Sequence, residues 1–349
     1  MTLNRRWTMI AAVGIATLLG TSACSAGAPA DSTADDSGKL SGSITVYNAQ
    51  HEELTQAWAD EFTKETGVTV TLRNGDDSEL GNQIVQEGSA SPADVFLTEN
   101  SPAMSLVDGA GLLAPVDPAT LENVPERFRP STGNWTGIAA RSTVFAYNPE
   151  LLSEDELPAS LVDLADPSWE GRWAASPSGA DFQAIVSAFL ELKGEAATKT
   201  WLAAMKQNAV VYKGNSTIMK AVNAGEIPGG VIYHYYWFGD QAGTGENSSN
   251  TEMHYFKNQD PGAFVSLSGG GVLDTSENST AAQAFLAFIT GKDGQEILQT
   301  GASFEYPVAS ETDANPQLIP LDELDAPEID PAKLNSTKVT DLMTEVGIL

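Results

Sequence analysis

Tyr233-His234-Tyr235-Tyr236-Trp237-Phe238 sets six aromatic rings in a row after the β-branched pair Val231-Ile232. In one continuous strand Tyr235 and Tyr236 would point to opposite faces and could not share a ligand. They converge only if the strand ends near Tyr233 and the chain turns there into a loop or a helix. Taken alone, such a run is more often core or a stacking surface than a ligand site. His51, however, directly follows the strand-like run Ile44-Thr45-Val46-Tyr47 and its short continuation, and Glu99 directly follows Asp94-Val95-Phe96-Leu97. Both therefore stand at strand carboxyl ends, where open α/β sheets bind ligands. One imidazole, one carboxylate and two phenols suit a hard trivalent cation such as Fe(III), with anionic oxygens dominant and imidazole as a supplement. A phenol, with an ordinary pKa of about 10, ligates poorly at neutral pH. A trivalent ion beside it favours the phenolate, so that binding releases protons. Zinc is the weaker alternative, because its sites prefer Cys and His, and past Cys24 the chain has no Cys and only His51, His234 and His254.

The elements that must position these residues alternate in type. Leu54, Trp58 and Phe62 recur at helical spacing before Gly67, Val68 to Leu72 reads as a strand, and Leu80, Ile84 and Val85 fall on a helix. The opening is thus βαβαβ and predicts a mostly parallel sheet covered by helices. Thr143 to Tyr147 resumes a strand pattern, with a change of domain expected near Ile138 to Arg141. Arg172 to Ala175 reads as a strand, followed by helices over about 182–192, 201–205 and 217–224. Phe264 to Leu267 and Gly271 to Leu273 read as two strands, and Ala281 to Thr290 as an apolar helix. Two α/β lobes with a cleft between them fit this succession, and the cleft is the default ligand site. From Glu311 onward the chain is rich in Asp, Glu and Pro, a solvated acidic face, before a final helix at Val339 to Val346.

The 349 residues carry 18 Lys+Arg against 47 Asp+Glu, a formal net charge of −29. Such a chain is unsuited to nucleic acid, since a phosphate backbone would be repelled. Its single cysteine, Cys24, excludes an intrachain disulfide and a thiolate cluster. Arg5-Arg6, the apolar run Trp7 to Gly20 and the small residues Thr21-Ser22-Ala23 read as an export signal over 1–23, too short to span a bilayer. Small residues directly before Cys24 resemble the bacterial lipobox, which implies a lipidated Cys24. A plain secretory signal with an incidental cysteine is the alternative, and the export route, Sec or twin-arginine, stays open. Loss of residues 1–23 removes Arg5 and Arg6 and no acid, so the charge would become −31. Residues 24–40 then read as the lipidated cysteine and a flexible tether, with a soluble body held at the outer face of the cytoplasmic membrane.

Ile44-Thr45-Val46-Tyr47-Asn48-Ala49-Gln50-His51, Gly88 to Phe96, Tyr235-Tyr236-Trp237 and Asp260-Pro261-Gly262-Ala263 occur in an order that resembles the ferric-ion-binding proteins of bacterial ABC importers. The resemblance covers about Ser43 to Pro307. It implies a two-lobed, transferrin-like periplasmic-binding fold of type II, α/β, with the cleft between lobes joined by crossover hinge strands. Lobe 1 would comprise 41–140 plus about 266–315, and lobe 2 about 141–265 plus about 316–349. Carried over position by position, Fe(III) would be the cargo of His51, Glu99, Tyr235 and Tyr236. A small synergistic anion, phosphate or carbonate, would sit on Ser178, Gly179 and Ala180, which precede a helix and could offer free N–H groups. Asn215, Arg141 and Tyr233 are further candidate anion contacts. Where family members often carry an Asn pair before Tyr-Tyr, this chain has Tyr233-His234.

The implied partners are a permease and its ATPase, with the protein acting as a monomer that closes about its hinge. A protein of the same fold for a polyamine, thiamine or a phosphonate is the alternative. A secreted enzyme is disfavoured, because no Gly-x-Ser-x-Gly, His-Glu-x-x-His or phosphate-loop motif is present.

Overall fold

The alternation of β-branched runs with amphipathic stretches becomes, in a computed structural model that describes residues 40–349, one mixed sheet with helices packed on it. The expected export signal, Cys24 and the tether up to residue 39 lie outside the described residues. The chain opens with β1 (Ser43–Asn48), α1 (Glu52–Thr66), β2 (Thr69–Asn74), α2 (Asp77–Glu87) and β3 (Val95–Leu97), the predicted βαβαβ order. In α1 the stripe Leu54, Trp58 and Phe62 is buried, and Gly67 ends the helix in the left-handed region at φ 80°. Burying each of these large side chains contributes about 1.5–3 kcal/mol. Then come α3 (Ser101–Gly109), α4 (Pro118–Glu122) and β4 (Thr136–Tyr147).

The second stretch holds β5 (Trp173–Ala175), α5 (Ala180–Lys193), α6 (Glu195–Asn208), β6 (Ala209–Val211), α7 (Asn215–Asn223), β7 (Gly229–Tyr233), α8 (His234–Ala242) and β8 (Glu252–His254). It is followed by β9 (Val265–Val272), α9 (Ser279–Thr290), α10 (Lys292–Thr300) and α11 (Ser336–Val346). The strand order is β2-β1-β3-β9-β4-β7-β5-β6, with β8 also paired to β4.

The centre of this sheet differs from the parallel expectation. β1 pairs parallel with β2 and β3, and β5 with β6 and β7, but β9 runs antiparallel to both β3 and β4, and β4 antiparallel to β7. β4 passes unbroken through Ile138 to Arg141, where a domain change was expected. Its residues Thr136 to Ser142 pair with β9, and Thr143 to Tyr147 pair with β7. All twelve β4 residues are buried, so no polar alternation marks the strand in the sequence.

β9 is likewise one strand where the sequence suggested two. Of the glycines that interrupt its pattern Gly270 is the most tightly packed: a Cβ there would lie 2.8 Å from Ile138 Cγ2 and from Leu286 Cδ1. β4 leads the chain out of the first half of the molecule, and β9 brings it back.

Trp58, Phe62, Val95, Phe285 and Leu286 fill the core of the first half, and Phe182, Phe189, Trp201 and Val231 that of the second. α11 buries Val339, Leu342 and Met343 and is ion-paired to α6 through Lys338–Glu195 and Lys199–Glu345. Among the described residues no helix is long and apolar enough to cross a membrane.

Candidate functional site

Three strand-to-helix connections converge on the cleft between the halves. β7 ends at Tyr233 and α8 begins at His234, so Tyr235 and Tyr236 stand on a helix, about 100° apart, instead of on opposite faces of a strand. Their rings stack at 4.3 Å between centroids. His51 is the residue before α1, and its N–H donates to Gln50 Oε1 at 2.7 Å. Glu99 precedes α3, and its N–H donates to Asp77 Oδ1 at 2.9 Å. Asp77 Oδ2 accepts the Asn100 N–H at the same distance, so one buried carboxylate cradles the turn that carries Glu99.

The donors meet across the cleft. The Tyr235 hydroxyl donates to Glu99 Oε1 at 2.5 Å, and His51 Nε2 lies 3.8 Å from that same oxygen. The Tyr236 hydroxyl donates to Asp181 Oδ2 at 3.0 Å, and Tyr235 Oη lies 3.5 Å from it. All four residues expected to hold a metal are therefore brought together. Among the described residues no three His, Cys, Asp or Glu side chains form a metal-holding group on their own. A cleft of about 800 Å³, lined by His51, Glu52, Lys220, Tyr235, Tyr236 and Ser303 among others, opens in front of them. A larger cavity of about 880 Å³ around Phe128, Arg129 and Phe264 contains none of these donors.

Asp181 is the residue that sequence reasoning missed. It stands in the first turn of α5, directly after Ser178-Gly179-Ala180, where the helix dipole favours an anion. Its two oxygens accept from Asn100 Nδ2 at 2.9 Å and from Asn215 Nδ2 at 2.6 Å. The acid in that first turn was the available signal: a helix N-terminus with its own carboxylate has less call for a free anion.

The anion expectation changes accordingly. The Asn215 amide is engaged by Asp181, the Gly179 N–H donates to Ser176 O at 2.9 Å, and Ser178 is exposed at the surface. Ala180 lines a small separate cavity with Asp77 and Asn100. The Tyr233 hydroxyl donates to Asn100 Oδ1 and to the Asp181 carbonyl, both at 3.3 Å, so it supports the turn. Arg141, on β4, is fully buried and ion-paired with Glu305; its Nη2 also lies 4.0 Å from Glu99 Oε1.

The electrostatics call for a cation. Glu99, Asp181, Asp77 and Glu305 gather around a single guanidinium, Arg141. Burial and the Glu99 charge push Asp181 up to about 6 and hold Asp77 well above the carboxylate range. Burial also raises Tyr235 and Tyr236, with the Asp181 and Glu99 charges adding to it. Burial works against the charge on Arg141, but Glu305 and Glu99 more than offset it and raise its pKa. His234, buried behind the phenols, is pushed down to about 3, chiefly by desolvation. A multivalent cation at the phenols would supply the missing positive charge.

Two α/β halves joined by paired strands, with a cleft between them, make the type II fold of periplasmic binding proteins. The chain belongs to the bacterial extracellular solute-binding protein family, whose pattern matches residues 90–333. It is 68% identical over 306 residues to the Fe(3+)-binding periplasmic protein of Serratia marcescens, covering 88% of this chain and 90% of that protein. It is 36% identical over 308 residues to the major ferric iron-binding protein of Neisseria meningitidis, covering 87% of this chain and 93% of that one. Iron-bound HitA from Pseudomonas aeruginosa superposes with a TM-score of 0.81 at 40% identity, over 87% of this chain and 99% of HitA. These relatives are transport proteins that bind solutes, not enzymes.

Proposed function

We propose that this protein captures Fe(III) outside the cytoplasmic membrane and delivers it to the permease and ATPase of an ABC importer. The observation that carries the reading is the approach of two phenols, two carboxylates and one imidazole from separate elements to a single point. His51 and Glu99 come from the first half, and Tyr235, Tyr236 and Asp181 from the second. Phenolate and carboxylate oxygens with one imidazole suit Fe(III), and the Serratia and Neisseria relatives are Fe(3+)-binding and ferric iron-binding proteins.

Asp181 is the fifth protein donor and takes the part assigned from sequence to a synergistic phosphate or carbonate. Its support is the contact with both phenols and with the Asn215 amide that was to hold the anion. Closure is a hinge motion in which β4 and β9 bend between a first half of 41–140 plus about 266–315 and a second of about 141–265 plus about 316–349. Only the closed form completes the donor set. The mature protein is held at the outer face of the membrane by a lipid on Cys24 and works as a monomer.

Adding Fe(III), as its nitrilotriacetate complex, to the apo protein tests the reading. A visible phenolate-to-iron charge-transfer band is expected, with loss of most of its intensity in Tyr235→Phe and Tyr236→Phe. Aromatic stacking survives those substitutions and phenolate ligation does not, so unchanged binding in both variants, or a colourless wild type, would sink the iron assignment.

A further inference from the structure

Asn is among the residues favoured before a helix, because its side chain can accept from the N–H groups of the first turn. Asn100 holds that position ahead of α3, yet its side chain caps nothing there. Its four hydrogen-bonding capacities, two donor and two acceptor, are all spent elsewhere. Nδ2 donates to Asp77 Oδ2 at 3.2 Å and to Asp181 Oδ1 at 2.9 Å. Oδ1 accepts from the Ser266 hydroxyl at 3.1 Å and from the Tyr233 hydroxyl at 3.3 Å. Asn100 and all four partners are buried.

The partners belong to four different elements. Asp77 opens α2 and Ser266 stands on β9, both going with the first half, whereas Asp181 is on α5 and Tyr233 ends β7 in the second. Two carboxylates require a donor and two hydroxyls an acceptor, and a single amide serves both. An aspartate in its place would set a third carboxylate against Asp77 and Asp181. The bond to Asp181 has an ionisable acceptor and is of the stronger kind when that carboxylate is charged. It uses Oδ1, while the phenols of Tyr235 and Tyr236 face Oδ2, so the bond and metal coordination by Asp181 can be made at once. When the halves part, Asn100 keeps Asp77 and Ser266 and gives up Asp181 and Tyr233.

We infer that Asn100 is a positioning residue that latches the two halves in the closed form, and so governs how fast the cargo leaves and not how it is coordinated. The inference rests on the Fe(III) reading and the hinge closure proposed above. A cargo held from both halves departs only after they separate. A bond made in the closed form alone therefore slows departure and changes arrival little. The turn that carries Glu99 does not depend on the latch, because Asp77 accepts the backbone N–H groups of Glu99 and Asn100 whatever side chain follows.

The test compares the wild type with Asn100→Ala and with Ser266→Ala, which removes a bond that does not cross between the halves. Fe(III) is loaded as its nitrilotriacetate complex and withdrawn by excess EDTA, with the charge-transfer band followed by stopped flow. Asn100→Ala is expected to release iron at least tenfold faster than the wild type with its band unmoved, and Ser266→Ala to stay within twofold. Release from Asn100→Ala within twofold of the wild type overturns the inference. A displaced band also overturns it, since Asn100 would then act on the coordination itself, as does equal acceleration in Ser266→Ala, since a loosened turn would then suffice. Small-angle X-ray scattering from the metal-free proteins reads the latch without the cargo. A larger radius of gyration is expected for Asn100→Ala than for the wild type, and equal radii overturn the inference. A wild type that develops no band is a failure of the iron assignment, and the scattering comparison then decides the latch alone.

Discussion

Tyr235, Tyr236 and Asp181 each hold a proton more tightly than usual in the free protein, and in the proposed reading Fe(III) must displace those protons to bind. At neutral pH the two phenols give up about two protons per ion, so affinity is expected to fall about a hundredfold for each unit of acidification. Below about 6, where Asp181 also takes up its proton, the dependence steepens toward three protons. Proton release on loading, measured by titration at constant pH from 5 to 8, checks this, and a count of zero at pH 7 contradicts phenolate ligation. Asp181 also carries a stability consequence. Its folded pKa is raised, so the apo fold is favoured while the group is protonated, and that advantage is lost as pH rises from its unfolded value of about 4 to about 6. Asp181→Asn is therefore expected to lose the part of the apo protein's pH-dependent stability that falls between about 4 and about 6, while weakening iron binding. Urea unfolding at either end of that range measures the first effect, and a variant whose stability changes across it as much as the wild type's refutes it.

At the scale of elements, legibility followed burial. β1, α1, β2 and α2 were readable because each has one wet face, which imprints a period on the sequence. β4 was read only in its second half, Thr143 to Tyr147, and β9 as two separate strands, because both are buried nearly throughout and β9 carries glycines where a strand usually carries branched residues. The turn from β7 into α8 was legible as a condition, since two adjacent tyrosines can share a ligand only off a strand. Asp181 and Glu305 escaped notice because their roles come from contacts far along the chain, Asn100 to Asp181 and Arg141 to Glu305. β9 offers a sharp test at this scale. Gly270→Ala drives a methyl group into Ile138 and Leu286 and is expected to cost about 1–3 kcal/mol, the usual penalty for overpacking. The midpoint of denaturant unfolding reads this directly, and an unchanged midpoint would show that β9 can shift to make room.

At the scale of the whole molecule, the charge of −29 draws cations toward the body in general and selects none. In the proposed reading selection falls to five residues, of which only Glu99 and Asp181 belong to the acidic count. In the reading proposed above, a lipid on Cys24 decides where that field acts. Cys24→Ser is expected to move the protein from the membrane fraction to the soluble one without altering its iron-binding spectrum, and a variant that stays with the membrane would contradict lipidation at Cys24. The placement of β9 between β3 and β4 has a further consequence, for the order in which the molecule can be built. A growing chain completes β1, β2 and β3 early, yet their inner neighbour emerges only after the whole of β5 to β8. Pairing across so long a separation is slow, because loop closure precedes any reward from contact. The second half in turn awaits α11 at the far end of the chain. Neither half can finish first, so both settle late and together, and the nascent polypeptide must be kept from aggregating until its last helix is available.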